Sequence, residues 1–304
     1  TRLDAEGNLI HPFIFNPDRP LQASNVKILS TSFERAIQSV QGVVGALLPE
    51  ERNIEIDTRH TVLMLPDPQP RQSVEQEELE NELAARLHLQ EREDELLPLA
   101  VRVTQSLLPF LAHDARDASF GAIQHQNSSF SNSGDVEPLP WSQLNEITKC
   151  LSLCNMLPDT ISDEDHEAVV QHAAWRFFES FRHPRLAYLG MNDMCKFMMD
   201  GFRNNVPLTI CSAHDSTLMG LLCAFKLEQP ALWPEYGSFL MVELLECESV
   251  EYVRFSLNGG LLNLQWRGDS VEMMQFDDLS QIVRNEGEAT KGTVFVMHCV
   301  DQPA

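Results

Sequence analysis

The stretch Leu208–Cys223, LTICSAHDSTLMGLLC, decides how the rest of the chain is read. Its opening run, Leu208-Thr209-Ile210-Cys211, has the apolar character of a short buried strand. The run breaks at Ser212-Ala213, and beyond His214-Asp215-Ser216-Thr217 an apolar helix is expected from Leu218 to Leu222. A His-Asp pair therefore stands where a strand ends and a helix begins. In open α/β sheets ligands bind at the carboxyl ends of the strands. A helix N-terminus there adds free N–H groups and the positive end of a dipole, both suited to an anion such as phosphate. Asp215, Ser216 or Thr217 would each also serve simply as a helix N-cap.

The same architecture recurs near the start of the chain. Val26-Lys27-Ile28-Leu29 predicts a strand, Ser30-Thr31-Ser32 supplies N-cap chemistry, and a helical pattern follows through Phe33, Ile37, Val40, Val43, Val44 and Leu47 up to Pro49. Arg35 falls in the first helical turn, where a cation opposes the helix dipole. Anion binding is one reason for it; a salt bridge with Glu34 or Glu50 is the other. If the two strands run parallel in one sheet, Arg35, His214 and Asp215 meet at one edge. Arginine offers a planar fork to phosphate oxygens, and His214 would donate to the same group. A carboxyl group beside a dianionic phosphate keeps its proton more readily, so Asp215 is a candidate donor to a leaving alkoxide.

Outward from these two stretches, Asn53–Asp57 reads as a strand, followed by Arg59-His60 and the apolar Val62–Leu65. Pro66-Asp67-Pro68-Gln69-Pro70 is a breaker cluster and a boundary. Ser73–Arg92 predicts an acidic, solvated helix, and Leu96–Leu111 is more apolar. Asp114–Pro140 reads as a flexible loop; its sequon Asn127-Ser128-Ser129 matters only in a secreted protein. Trp141–Leu157, His166–Phe181 and Arg185–Asn204 read as amphipathic helices, the Met-rich third one as core packing. Toward the C-terminus, strands are expected over Phe239–Leu245, Tyr252–Leu257 and Leu261–Gln265, with a tight turn at Asn258-Gly259 and a helix over Met273–Val283. The outline is an α/β core from 1–70 and 206–304 with a helical insertion over 71–205.

A chain of 304 residues with 43% hydrophobic residues is globular, and a formal charge of -23 argues against nucleic acid and anionic membrane surfaces as partners. An anionic substrate would have to be captured by local Arg and His. No apolar run is long enough for a transmembrane helix. The seven cysteines include no C-x-x-C; several sit in apolar surroundings as buried thiols, and a disulfide or two stays open. The chain opens at Thr1, as a processed form or a fragment would. The compartment is left open between secretory, lysosomal and mitochondrial, and the oligomeric state is left open as well.

Taken together, these stretches resemble the histidine acid phosphatases, branch 2 of the histidine phosphatase superfamily. Ser30-Thr31-Ser32-Phe33-Glu34-Arg35 is similar to the family's R-S-T-x-x-x-R segment, with Leu29 in place of the first arginine. Ser212-Ala213-His214-Asp215-Ser216-Thr217-Leu218 matches its His-Asp motif. Trp233-Pro234-Glu235-Tyr236-Gly237-Ser238, with Glu243 beyond, and Val253-Arg254-Phe255-Ser256-Leu257-Asn258-Gly259 resemble two further motifs, in the family's order. The Trp-Pro pair is similar to the lysophosphatidic acid phosphatase (type 6) subgroup, which points to a lysophospholipid among phosphomonoester substrates.

The resemblance implies a phosphoglycerate mutase-like α/β core with a large helical insertion. It also implies hydrolysis of phosphate monoesters through a phosphohistidine, with Arg35 and His214 binding phosphate and Asp215 giving the proton, and it requires no cofactor and no metal. The family's nucleophile lies in an R-H-G-x-R-x-P segment upstream of R-S-T. Only 34 residues precede Arg35, and none spells Arg-His-Gly. His11 is followed by Pro12, and Arg59-His60-Thr61 lies downstream without the glycine. The expectation is therefore an incomplete chain, lacking the first core strand and poorly soluble alone.

Two rivals remain. A metal-dependent HD-type phosphohydrolase would carry its His-Asp on helices with further ligands. Here His214 follows a strand, and His166 and His172 share no helix face; Ala112-His113-Asp114 reads as a solvated helix end. A degenerate phosphatase-fold binding protein is the non-catalytic alternative, favoured by Leu29 and the missing nucleophile. No G-x-S-x-G, P-loop or G-x-G-x-x-G supports other hydrolase or nucleotide-binding readings.

Overall fold

The computed structural model describes residues 21–51, 53–66, 73–114, 136–204 and 206–289, and in it the two apolar runs that lead into the two polar turns lie side by side. Strand β1 (Val26–Ser30) and strand β2 (Leu208–Ser212) pair in parallel, Val26 opposite Leu208 and Ser30 opposite Ser212. Both therefore end at the same edge, as a shared sheet requires. Helix α1 (Glu34–Leu47) follows β1 and buries Ala36, Val40 and Val44, a stripe one turn apart on one face. Val40 and Val44 close over Ile28 and Leu48, with Ile54, Ile56 and Ile210 packed alongside. Full burial of a side chain such as Ile28, Val40 or Val44 contributes about 1.5–3 kcal/mol.

Asn53–Asp57 forms less of a strand than its alternating isoleucines predict. Ile54 and Ile56 reach the cluster beneath α1, but pairing is limited to one parallel bridge between Leu29 and Asp57. Two hydrogen bonds close it, Ser30 N–H to the Asp57 carbonyl at 3.0 Å and Asp57 N–H to the Ile28 carbonyl at 2.9 Å. The chain then turns, and the apolar Val62–Leu65 is mostly a 3-10 turn (Thr61–Met64) that buries Met64 completely.

Among the described residues five helices follow: α2 (Ser73–Arg86), α3 (Leu89–Asp114), α4 (Trp141–Leu153), α5 (Asp163–Arg182) and α6 (Pro184–Arg203). The single acidic helix expected over Ser73–Arg92 is broken at Leu87-His88, where His88 adopts a left-handed φ of 50° of the kind that ends helices. The Pro66–Pro70 boundary and the 114–140 loop with its sequon fall largely outside the described residues. The core reading of the third amphipathic helix fits the structure, since α6 buries Leu186, Leu189, Met191, Met194 and Met199.

The chain divides into two compact units. The first is drawn from Thr1–Leu79, Phe178–Pro230 and Pro234–Ala304, the second from Glu80–Phe177 with Ala231–Trp233. Helix α6, within the 71–205 insertion as read from the sequence, lies in the first unit. The second unit packs Leu99, Val103 and Leu107 of α3 against Trp141 and Leu144 of α4 and Val169 of α5.

In the first unit, α7 (Asp215–Ala224) follows β2 and packs closely on α6. A Cβ at Gly220 would stand 2.8 Å from the Met191 sulfur, so a larger residue there would force the Met191 side chain to shift. Beyond it, β3 (Leu240–Cys247) and β4 (Val250–Leu257) form an antiparallel ladder that sets Glu243 opposite Arg254. The hairpin from β4 to β5 (Gly260–Leu262) turns on Asn258 and Gly259, both at positive φ (52° and 84°), as a two-residue primed turn demands. The strand expected over Leu261–Gln265 is split, its second part β6 (Leu264–Trp266) pairing with β7 (Asp269–Val271). The helix expected from Met273 begins later. Met273–Gln275 is β8, laid along Tyr252–Arg254 of β4, and α8 (Phe276–Ala289) starts where Asp277 and Asp278 favour a helix N-terminus.

Candidate active site

The turn after β1 is laced to the end of β2. Thr31 N–H donates to the Ser212 carbonyl at 3.0 Å, and the Ser212 hydroxyl donates to the Ala36 carbonyl at 2.8 Å. Ser30 spends its hydroxyl on the Thr31 carbonyl at 2.9 Å. Ser32 N–H donates to Thr61 Oγ1 at 2.8 Å, and that hydroxyl donates to the Thr58 carbonyl at 3.0 Å. None of Ser30–Ser32 caps the helix, and the Thr31 hydroxyl is buried without a hydrogen-bond partner among the described residues. The N-cap of α1 is Phe33, which has no side-chain cap bond, and Arg35 is the second helical residue. Neither salt bridge weighed for Arg35 forms. Glu34 accepts instead from Gln38 at 2.9 Å, and among the described residues Arg35 joins no ion pair. Its guanidinium lies over the Phe33 ring, 4.9 Å from the centroid.

The turn after β2 caps itself. His214 is the N-cap of α7 and Asp215 its first residue, so the helix starts three residues before Leu218 and none of Asp215, Ser216 or Thr217 is the cap. His214 N–H donates to Thr217 Oγ1 at 3.2 Å, and the Thr217 hydroxyl, almost wholly buried, donates to the Met64 carbonyl at 2.5 Å. Asp215 Oδ1 accepts from Ser216 N–H at 2.8 Å. The imidazole of His214 stands perpendicular to the Phe33 ring, centroids 4.9 Å apart.

Arg35, His214 and Asp215 thus occupy turns at one sheet edge, and Phe33 touches both Arg35 and His214. The 3-10 turn braces each side, through Thr61 on the Ser32 amide and through the Met64 carbonyl on Thr217. Phe33 and Thr61 escape a reading of the sequence. Phe33 continues the apolar spacing of α1 and so passes for a core position, yet it is 40% exposed.

The other candidates lie differently. Arg59 is held by Asp57 through two bonds of 3.0 and 2.7 Å, and this guanidinium keeps the Asp57 carboxyl far below its ordinary range. His60 Nε2 lies 3.6 Å from the same carboxylate. Glu243 and Arg254, from two different sequence motifs, pair with each other at 2.7 Å, both largely buried. Leu29 is fully buried. Among the described residues six cysteines are free thiols. Burial pushes those of Cys195, Cys211 and Cys223 up to about 12, so they stay protonated and unreactive.

For this fold and this edge, comparison with known proteins bears on the class. The family model "Histidine phosphatase superfamily (branch 2)" matches residues 142–258, which include His214 and Asp215 but not Arg35. No curated protein matches the chain. Among solved structures, the phytase from Citrobacter braakii superimposes with a TM-score of 0.63 at 14% identity, covering 90% of this chain and 82% of that one. The apo form of Hafnia alvei phytase gives 0.63 at 12% identity, over 90% and 81%. At such identity the likeness establishes the fold. The resemblance to branch 2 of the histidine phosphatase superfamily therefore holds, in the family match and in the mixed α/β fold that the chain shares with these phytases.

Proposed function

We propose that the edge where β1 and β2 end binds the phosphate of a small phosphomonoester and supports its hydrolysis. The observation that carries this reading is Arg35, a cation set against its own helix dipole without a carboxylate partner among the described residues. Arg35 grips two phosphate oxygens through its planar fork. His214 donates a hydrogen bond to the same group, beside the N-terminus of α7. Asp215 gives its proton to the alkoxide as the bond from phosphorus to the ester oxygen breaks. In a phosphohistidine route a neutral histidine nitrogen attacks phosphorus, and water later takes the phosphoryl group to release inorganic phosphate. That nucleophile is none of the three residues named here. A lysophospholipid is the substrate to which Trp233-Pro234 points, beside simpler monoesters.

The buried Leu29 favours a second reading, a phosphatase-fold protein that binds phosphoesters without cleaving them. One pair of measurements on the native protein separates the two. Titration with inorganic phosphate, followed on the His214 ring by NMR, reads binding; release of phosphate from p-nitrophenyl phosphate and from lysophosphatidic acid at mildly acidic pH reads hydrolysis. Binding with turnover supports the phosphatase, binding without turnover supports the second reading, and no binding overturns both.

A further inference from the structure

We infer that Phe33 is a positioning residue for the anion-binding pair, setting Arg35 and His214 before phosphate arrives; the inference rests on reading this edge as a phosphate site. Phe33 is a large apolar side chain left 40% exposed at a helix start, where Ser, Thr, Asp or Asn would cap and where it makes no cap bond. Its neighbours explain the choice. The Arg35 guanidinium sits 4.9 Å above its ring, and the His214 imidazole meets it at 90° with centroids 4.9 Å apart. Both distances are those of favourable cation–π and edge-to-face contacts.

The contact is compatible with the task. A guanidinium carries five N–H groups, so an arginine held beside an aromatic ring still has donors to offer an anion. An exposed arginine otherwise samples many rotamers and loses that freedom on binding, whereas a side chain ordered in advance has less to lose. One ring in contact with both groups also fixes their spacing, which a bidentate anion requires.

The test uses the full chain with Phe33→Leu, which keeps an apolar side chain of similar bulk, and Phe33→Tyr, which keeps the ring. In the ligand-free protein, 15N relaxation of the Arg35 Nε–H should show an ordered group in the wild type and in Phe33→Tyr. In Phe33→Leu it should approach the mobility of a flexible side chain. The dissociation constant for inorganic phosphate should rise about tenfold in Phe33→Leu and stay near wild type in Phe33→Tyr. An Arg35 equally ordered in Phe33→Leu, or equal weakening in both variants, overturns the positioning role. A wild type that binds no phosphate overturns the phosphate-site reading instead, while the relaxation of Arg35 still decides what Phe33 does.

Discussion

The two strand-turn-helix stretches differ most where they look most alike. The turn into α7 obeys local rules: Thr217 accepts from the His214 N–H, and Asp215, an acid, sits in the first turn where the dipole favours it. The turn into α1 breaks them, with an aromatic at the N-cap, no side-chain cap and a cation in second place. Its Ser32 amide depends on Thr61, a residue 29 positions away. Local rules that fail without an evident structural gain are expected at functional sites. Under the phosphate-site proposal the two sides divide the work: Arg35 on the α1 side, where a cation is locally disfavoured, holds the anion together with His214, and Asp215 on the α7 side gives the proton.

The largest effect that would test this division is on proton donation. In the active protein, Asp215→Ala should lower kcat on alkyl phosphates by about 10²- to 10⁴-fold, the usual contribution of a general acid. Turnover of p-nitrophenyl phosphate, whose leaving group needs no proton, should fall far less. Equal losses on both substrates would remove Asp215 from that role. Next in size, Arg35→Ala should weaken inhibition by inorganic phosphate about 10- to 100-fold, the worth of a charged hydrogen bond of about 1.5–3 kcal/mol. The same change should leave thermal stability equal or raise it, because a cation opposed to a helix dipole costs about 0.3–1 kcal/mol. A variant that loses stability and keeps phosphate inhibition would make Arg35 structural.

Two smaller effects sharpen the contrast. Thr217→Val deprives the His214 N–H of its acceptor and the buried Met64 carbonyl of its donor, at a cost of about 1–3 kcal/mol seen as a lower Tm. Thr61→Val, which frees the exposed Ser32 amide to find water, should cost less; the reverse order would mean that the α1 turn is the more tightly built. Smallest is the pH dependence carried by Asp57, which anchors the segment leading to Thr61. Its carboxyl is depressed from 3.8 by Arg59, so the unfolded chain takes up the proton first as pH falls. The Asp57–Arg59 contribution is whole above about pH 3.8 and is lost as pH drops through the folded value. Urea unfolding of wild type and Asp57→Asn should differ at pH 7 and converge in strong acid.

Much of this edge was legible in the residues themselves. Short apolar runs closed by small polar residues marked β1 and β2, and the apolar stripe marked α1. Two runs of matching character before matching turns made a shared edge the natural arrangement. Cap position was not legible: Ser30 turns its hydroxyl to the carbonyl of its neighbour Thr31, and the Ser32 amide is taken by Thr61, 29 positions away, so the helix begins only after Phe33. Met273–Gln275 reads as helix by composition and becomes a strand because β4 offers it an edge. Phe33 was hidden for a subtler reason. Its spacing to Ile37 and Val40 fits the buried face, and only its contacts with Arg35 and His214 show that it faces outward to the site.

The bond from the Ser212 hydroxyl to the Ala36 carbonyl joins residues 176 positions apart. Contacts of that separation demand closure of a very long loop, and parallel pairings between distant strands are slow to form. The expected order puts this edge late: the helices between β1 and β2 have local bonds of their own, while Arg35 and His214 acquire a common neighbour only when the two strands meet. If this edge binds phosphate as proposed, that binding should return after the helical signal during refolding, and the anion would mark the last step of assembly.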